Sequence, residues 1–352
     1  MSITFDHTTL GQRVLFGAGA AAENVGAAVQ SLDARRVLLI ADGFARDTAD
    51  QIADRVPTVA RIHDVVQHVP VERADEATDL ATREQVDAII TIGGGSATGL
   101  AKIIALRTGL PIVAVPTTFA GSEATDVWGI TEGERKNTGS DPRVLPRTVV
   151  YDAALLAGLP TGLAIASGLN AMAHAVDGFW APRADPINRA LGTEGLRALV
   201  PALRRLAAGA DPEALEQTLY GAYLAAVAFA SAGSALHHKI CHTLGGAYGL
   251  PHAEMHAVMI PYVTAFNAPA AADAAARISA AVGGAPAARG LFALREELGA
   301  PSSLAAIGLR ESDVTEAARL AHAAVPPTNP RPVTLPDMER LLRSAWAGEP
   351  IE

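Results

Sequence analysis

Only one cysteine, Cys241, occurs in 352 residues, so no disulfide can close within the chain. That scarcity suits a reducing compartment. Aromatic residues account for 5 % and charged ones for 18 %, and basic residues number 28 against 37 acidic ones. The resulting net charge of −9 argues against a nucleic-acid partner, which needs a basic face. Long hydrophobic runs are missing too. The Ala-rich stretch 222–235 is interrupted by Ser231, Gly233 and Ser234 and falls short of the roughly 20 apolar residues that span a bilayer. Residues 1–12 are polar and lack the basic and apolar regions of a signal peptide. A cytoplasmic protein with no membrane or nucleic-acid partner is expected.

What is present is apolar material, 49 % of the chain, over a length that suits two domains of about 150–200 residues. In the first part, short apolar runs at 37–41, 87–92, 111–116 and 148–152 alternate with amphipathic stretches. Continuous apolar strands separated by helical patterns indicate a parallel sheet covered on both faces. After Leu159-Pro160-Thr161 the chain turns Ala/Leu-rich with helical spacing, as in Ala190, Leu191, Glu194, Leu196 and Leu199, and reads as a helix bundle. The expected fold is α/β plus all-α: a doubly wound dinucleotide-binding domain over 1–157, then a helical substrate domain over 158–352.

Two glycine-rich segments compete for a dinucleotide. Gly17-Ala18-Gly19-Ala20-Ala21-Ala22 matches G-x-G-x-x-A after the short run Val14-Leu15-Phe16, with Asp42 about 20 residues further on. Gly93-Gly94-Gly95-Ser96 closes the strand at 87–92 and opens a helix, where close backbone approach and helix-start N–H groups suit a pyrophosphate. Ser96 can cap that helix or bond a phosphate oxygen. The second segment is favoured because Thr117, Thr118 and Ser122 follow the next strand, and ligands of open sheets sit beyond the carboxyl ends of strands. Asp42 suits adenosine ribose hydroxyls and repels a 2′-phosphate, which points to NADH ahead of NADPH.

Five of the ten histidines fall between His237 and His256. Asn170 and His174 are four apart on one expected helix, and so are His238 and His242 on another, so each pair shares a face. His252 follows on the turn Gly249-Leu250-Pro251. Two helix faces and one loop can converge on a metal or catalytic site, as bundles commonly arrange. His237 is expected to point away from His238, and Cys241 to pack as a small hydrophobe.

Over essentially its whole length the chain resembles the iron-containing alcohol dehydrogenase family. The resemblance is carried by Gly93-Gly94-Gly95-Ser96, by Pro116-Thr117-Thr118-Phe119-Ala120-Gly121-Ser122-Glu123, and by His238-x3-His242-x9-His252. Within that family it is similar to the maleylacetate reductases, on Asp126-Val127-Trp128-Gly129-Ile130-Thr131, the 168–174 segment and Asn329-Pro330-Arg331-Pro332. The likeness implies NAD(P)H-dependent reduction of the carbon–carbon double bond of maleylacetate, a small dicarboxylate, to 3-oxoadipate during breakdown of aromatic compounds. It implies a homodimer. It also implies pyrophosphate binding by Gly94, Gly95 and Ser96, a cofactor lining of Thr117, Thr118 and Ser122, Lys136 on the nicotinamide ribose, and His242 as a proton-relay residue near the nicotinamide.

Metal-dependent relatives hold their ion with an aspartate and three histidines, which fall here on Asn170, His174, His238 and His252. An amide in place of the carboxylate is a weak ligand for a divalent cation, so no tightly bound metal is expected. His174, His238 and His252, at least one of them protonated, would then steady the enolate that the ion would otherwise hold. A metal-dependent alcohol dehydrogenase, a dehydroquinate-synthase-like lyase and a silent homologue are the competing readings.

Overall fold

All five residues of strand Val37–Ala41 are fully buried, because apolar side chains on both sides of the strand find a helical layer to pack against. Val37, Leu39 and Ala41 face one hydrophobic cluster, whereas Leu38 and Ile40 face another. That two-sided burial explains why the strand reads as a continuous run instead of an alternation.

The computed structural model describes residues 4–66, 69–133, 135–209 and 211–351. They form two units, 10–159 and 160–351, the second joined by residues 4–9. The change of unit therefore falls at 159/160, against the expected 157/158. The first residues also depart from the expected single N-terminal segment. The reason is chemical: His7 Nδ1 lies 2.7 Å from a carboxylate oxygen of Asp185, which caps a helix of the second unit.

The strands are β1 (Arg13–Phe16), β2 (Val37–Ala41), β3 (Thr58–Ile62), β4 (Ala88–Gly93), β5 (Ile112–Pro116), β6 (Val127–Glu132), β7 (Arg135–Ser140) and β8 (Thr148–Tyr151). Six of them make a parallel sheet in the order β1-β8-β5-β4-β2-β3. Helices α1 (Ala21–Ser31) and α2 (Arg46–Ala53) cover one face, and α3 (Val71–Arg83) and α4 (Gly95–Thr108) the other. The chain steps outward from β2 to β3 and then crosses back to β4. The carboxyl ends of β2 and β4 therefore meet at the point where strand order reverses, the usual ligand crevice of such sheets. An antiparallel hairpin of β6 and β7 stands outside this plan.

The second unit is helical: α5 (Thr161–Gly178), α6 (Pro186–Ala208), α7 (Pro212–Ala232), α8 (Leu236–Tyr248), α9 (His252–Asn267), α10 (Ala272–Ala281), α11 (Ala287–Glu297), α12 (Val314–Ala323) and α13 (Leu335–Ala347). Helix α5 is buried from Ala164 through Gly178 and runs through the middle of this unit, packed on α6, α7 and α9. A helix buried all round can place polar side chains where water does not compete for them. Among the described residues no single helix is long and apolar enough to cross a membrane; α7 and α8 pass that test only as a pair, bent by 97°.

Candidate active site

In the α/β unit the expected cofactor residues gather at three neighbouring strand ends. Asp42 follows β2, Gly93 ends β4, and Thr117 and Thr118 follow β5. Asp42 Oδ2 accepts the Gly94 N–H at 2.9 Å, and the Thr117 N–H donates to the Gly93 carbonyl at 3.1 Å. Burial raises the Asp42 carboxyl above its ordinary value, and the Gly94 hydrogen bond partly offsets this. Gly93 has φ +155°, and a Cβ there would run into the Asp42 carboxylate and Ala97, so only glycine serves. Gly94 is the N-cap of α4 with no side chain bonding the helix start, and Gly95 is exposed. The first intrahelical bond runs from Thr98 N–H to Gly94 O, so the Gly95, Ser96 and Ala97 N–H groups precede it. This is a fit for an anionic pyrophosphate. Ser96 lies inside the helix and does not cap it, contrary to that part of the expectation. Ser122 opens a short 3₁₀ turn, Ser122–Ala124. The side chain of Lys136 is outside the described residues.

The rival glycine segment is otherwise engaged. Asp152 accepts the Gly19 N–H at 2.7 Å through Oδ1 and the Ala21 N–H at 2.9 Å through Oδ2. A carboxylate already fills the place an anionic ligand would need, so the motif match at residues 17–22 marks a structural turn.

In the helical unit the histidines converge from three helices. His174 comes from α5, His238 and His242 from α8, and His252 is the first residue of α9 instead of a turn residue. The His174 and His238 rings stack 5.0 Å apart, and those of His242 and His252 stack at 6.1 Å. His238 lies 5.9 Å from His242 and links the two pairs. Asn170 is buried one helical turn before His174. His174 and His238 are buried, whereas His242 and His252 are half-buried. The cluster thus has a deep row and an outer pair.

Three further residues join it that the sequence did not place there. Asp177, fully buried on α5, accepts N–H bonds from Ala235 (3.0 Å), His237 (3.2 Å), His238 (3.2 Å) and the Trp180 indole (3.2 Å). It also meets His238 Nδ1 at 2.8 Å. One carboxylate therefore caps the start of α8 and aligns its histidine. His237 does not point away: its ring lies 5.2 Å from that of His238, and its Nε2 is 2.8 Å from His256 Nδ1. His256 packs edge-on against His252 at 4.4 Å. Cys241 is fully buried as expected, with its sulfur 3.7 Å from His237 Nε2.

Desolvation dominates the electrostatics. Burial lowers His174 and His237 to about 3, reinforced by His238. It likewise pushes His238 and His256 well below the ordinary histidine value, with His252 adding to the effect. Burial raises Asp177, and neighbouring His237 and the N–H donors pull it back. Burial therefore favours the neutral form of the deep imidazoles, so the protonated histidine expected among His174, His238 and His252 is not His174 or His238.

Comparison with known proteins now decides the family. The model for "Iron-containing alcohol dehydrogenase" matches residues 11–153, and that for "Fe-containing alcohol dehydrogenase family, C-terminal" matches residues 164–346. The chain belongs to the iron-containing alcohol dehydrogenase family. It is an oxidoreductase. A maleylacetate reductase of Pseudomonas sp. (strain P51) is 45 % identical over 99 % of both chains. Among solved structures, an iron-containing alcohol dehydrogenase from Corynebacterium glutamicum is 48 % identical, with TM-score 0.95 over 99 % of this chain and 98 % of that one. The maleylacetate reductase of Agrobacterium tumefaciens is 39 % identical, with TM-score 0.94 over 99 % of both chains.

Iron-containing members make the donor chemistry of the cluster worth weighing. Asn170 Oδ1, His174 Nδ1 and His238 Nε2 are buried without a hydrogen-bond partner. With His252 they would make a wholly uncharged ligand set, since Asp177 is committed to α8. Among the described residues, the His, Cys and carboxylate side chains whose ligand atoms lie within 4.8 Å of one another are instead His237, Cys241 and His256. There the two imidazoles hold each other by a hydrogen bond, and burial keeps the thiol protonated. The first set offers an amide where a carboxylate would be the stronger ligand, and the second a protonated thiol, so each lacks the anionic donor that strengthens the hold on a divalent cation.

Proposed function

We propose that this chain is an NADH-dependent maleylacetate reductase that works without a resident metal ion. The observation that carries the reading is the half-buried, stacked pair His242–His252 resting on a deep row of neutral imidazoles. Near-full-length likeness to maleylacetate reductases at 41–45 % identity supports the substrate.

When bound, the reduced nicotinamide supplies a hydride to the alkene carbon β to the ketone of maleylacetate. Asp42 and the Gly94, Gly95 and Ser96 backbone are assigned to hold the dinucleotide, with Thr117, Thr118, Ser122 and Lys136 as its lining. The alkene electron pair moves onto the ketone oxygen, giving an enolate. His252 is assigned to donate a hydrogen bond to that oxygen. His242, which solvent can reach, delivers a proton to the carbon next to the ketone and leaves 3-oxoadipate. Substrate, one hydride and one proton balance the product. Asn170, His174 and His238 pack beneath and keep the outer pair in register. Asp42 favours NADH, with NADPH a weaker alternative.

A cytoplasmic site of action and assembly as a homodimer belong to the same proposal, the first resting on the lone cysteine and the second on family likeness. The direct test is incubation with maleylacetate and NADH, following NADH loss and identifying the product by mass. Stoichiometric 3-oxoadipate is expected. Turnover of simple alcohols with no reaction on maleylacetate would overturn the reading.

A further inference from the structure

Lys102 sits two turns into α4, the helix whose start carries Gly95 and Ser96, and it is 1 % exposed. Burying an ammonium group is costly unless its donors are used. All three are: Nζ donates to the Thr125 carbonyl at 2.8 Å, to Thr125 Oγ1 at 3.0 Å and to the Val127 carbonyl at 2.7 Å. Among the described residues no carboxylate accepts a hydrogen bond from it, although Glu123 and Asp126 are close enough to favour its charge. The acceptors all belong to the segment that leaves the 3₁₀ turn at Ser122 and enters β6.

Thr125 carries the connection onward. Its hydroxyl accepts from Lys102 and donates to the Ser122 carbonyl at 3.2 Å. A hydrogen-bonded chain thus runs from the pyrophosphate helix through Lys102 and Thr125 to Ser122. On the far side, the Tyr151 hydroxyl donates to Glu123 Oε1 at 2.7 Å, and the Gln12 side chain donates to the Glu123 carbonyl at 2.8 Å. The segment is hydrogen-bonded from two directions, and among the described residues Lys102 is the side chain of the glycine-loop helix that bonds it.

We propose that Lys102 is a positioning residue of the cofactor site, fixing Ser122 and its neighbours relative to the start of α4 through Thr125. The assignment rests on the dinucleotide reading given above. It has a specific energetic signature. A tether within the cofactor cradle affects how well NADH binds, whereas the histidine cluster that carries out the proton chemistry lies in another unit and is untouched. Cofactor affinity and turnover should therefore separate.

The test uses Lys102→Met, which keeps the side-chain length without donors, and Thr125→Val, which keeps the shape and breaks the chain at its middle link. NADH binding is followed by fluorescence, and KM and kcat for NADH by steady-state kinetics. Lys102→Met should weaken NADH by about tenfold and Thr125→Val by roughly threefold, with kcat at saturating NADH within about threefold of the parent. Folded variants that bind NADH as the parent does would overturn the tether while leaving the dinucleotide reading intact. A fall in kcat with unchanged NADH affinity would also overturn it. A parent protein that fails to bind NADH would remove both. If Lys102→Met does not fold, Thr125→Val decides the matter by the same readouts.

Discussion

Asp177 and His238 form a fully buried pair in which the carboxylate takes the Nδ1 hydrogen at 2.8 Å and leaves Nε2 without a partner. Four other N–H groups already favour the ionised carboxylate, and an ionised Asp177 can only accept, which assigns the proton to Nδ1. The Nε2 lone pair then turns toward the imidazole cluster. This fixed tautomer sets the polarity of the deep row.

Asp177→Asn should therefore be severe for stability. It removes the charge that caps α8 and sets an amide N–H2 against N–H donors that a carboxylate oxygen now accepts, at a cost on the order of 3–5 kcal/mol for a broken buried pair. Urea unfolding measures it. A loss below about 1 kcal/mol would mean that the cap and the pair contribute no more than an ordinary hydrogen bond.

His242→Ala should fold, since the ring is half-buried and α8 keeps its capping by Asp177. Turnover of maleylacetate should fall by roughly 10²–10⁴ if His242 is the acid. A variant with near-normal kcat would take His242 out of the proton pathway and leave His252 as the remaining outer candidate.

Asp42→Ala removes the negative charge beside the expected ribose and also frees the Gly94 N–H. NADH use should decline, and the NADPH-to-NADH ratio of kcat/KM should rise by about tenfold. An unchanged ratio would show that Asp42 serves only to pin the glycine loop.

Lys102 gives a pH signature in stability. Burial lowers its folded value to about 7 from an ordinary 10.5. Between those values the unfolded chain holds a proton that the folded chain lacks, so unfolding free energy rises with pH by up to about 1.4 kcal/mol per unit. The parent should gain stability relative to Lys102→Met as pH rises from 7 to 10, whereas below pH 7 the difference between the two stays constant. Parallel pH profiles for the two proteins, measured by urea unfolding, would contradict the shift. Loss of the proton also leaves two N–H groups for three acceptors, so the Thr125–Val127 attachment loosens over the same range.

The parts of the fold that sequence patterns disclose are those buried on two sides. Strands β2, β4, β5 and β8 read as apolar runs because helices cover both faces of the sheet. β3 was not visible in that way: Thr58–Ile62 is an edge strand with Arg61 exposed, so no continuous run forms. β7 reads Arg-Lys-Asn-Thr-Gly-Ser, and nothing in its composition favours a strand; its pairing with β6 decides it.

The site shows the same division. Spacing of four united Asn170 with His174 and His238 with His242, and the structure places each pair on one helix. The same rule could have found Asp177, three residues after His174, and His256, four after His252. They escaped notice because attention to histidine motifs leaves out the carboxylate that orients them. His237 escaped because adjacent residues diverge on a helix. The side of α8 that His237 takes is not solvent, however: α9 packs there and presents His256. Only tertiary contact could reveal that, as only the Asp152 carboxylate could show that Gly17–Ala22 is no phosphate loop.

The proposed reduction uses imidazoles and an amide in place of a metal ion. It is tested most directly by measuring NADH oxidation with maleylacetate before and after exhaustive chelation, with metal content determined on the same samples. Unchanged turnover in protein holding far less than one metal per chain is the expected result. Activity lost with the metal and restored by Fe²⁺ or Zn²⁺ would contradict it.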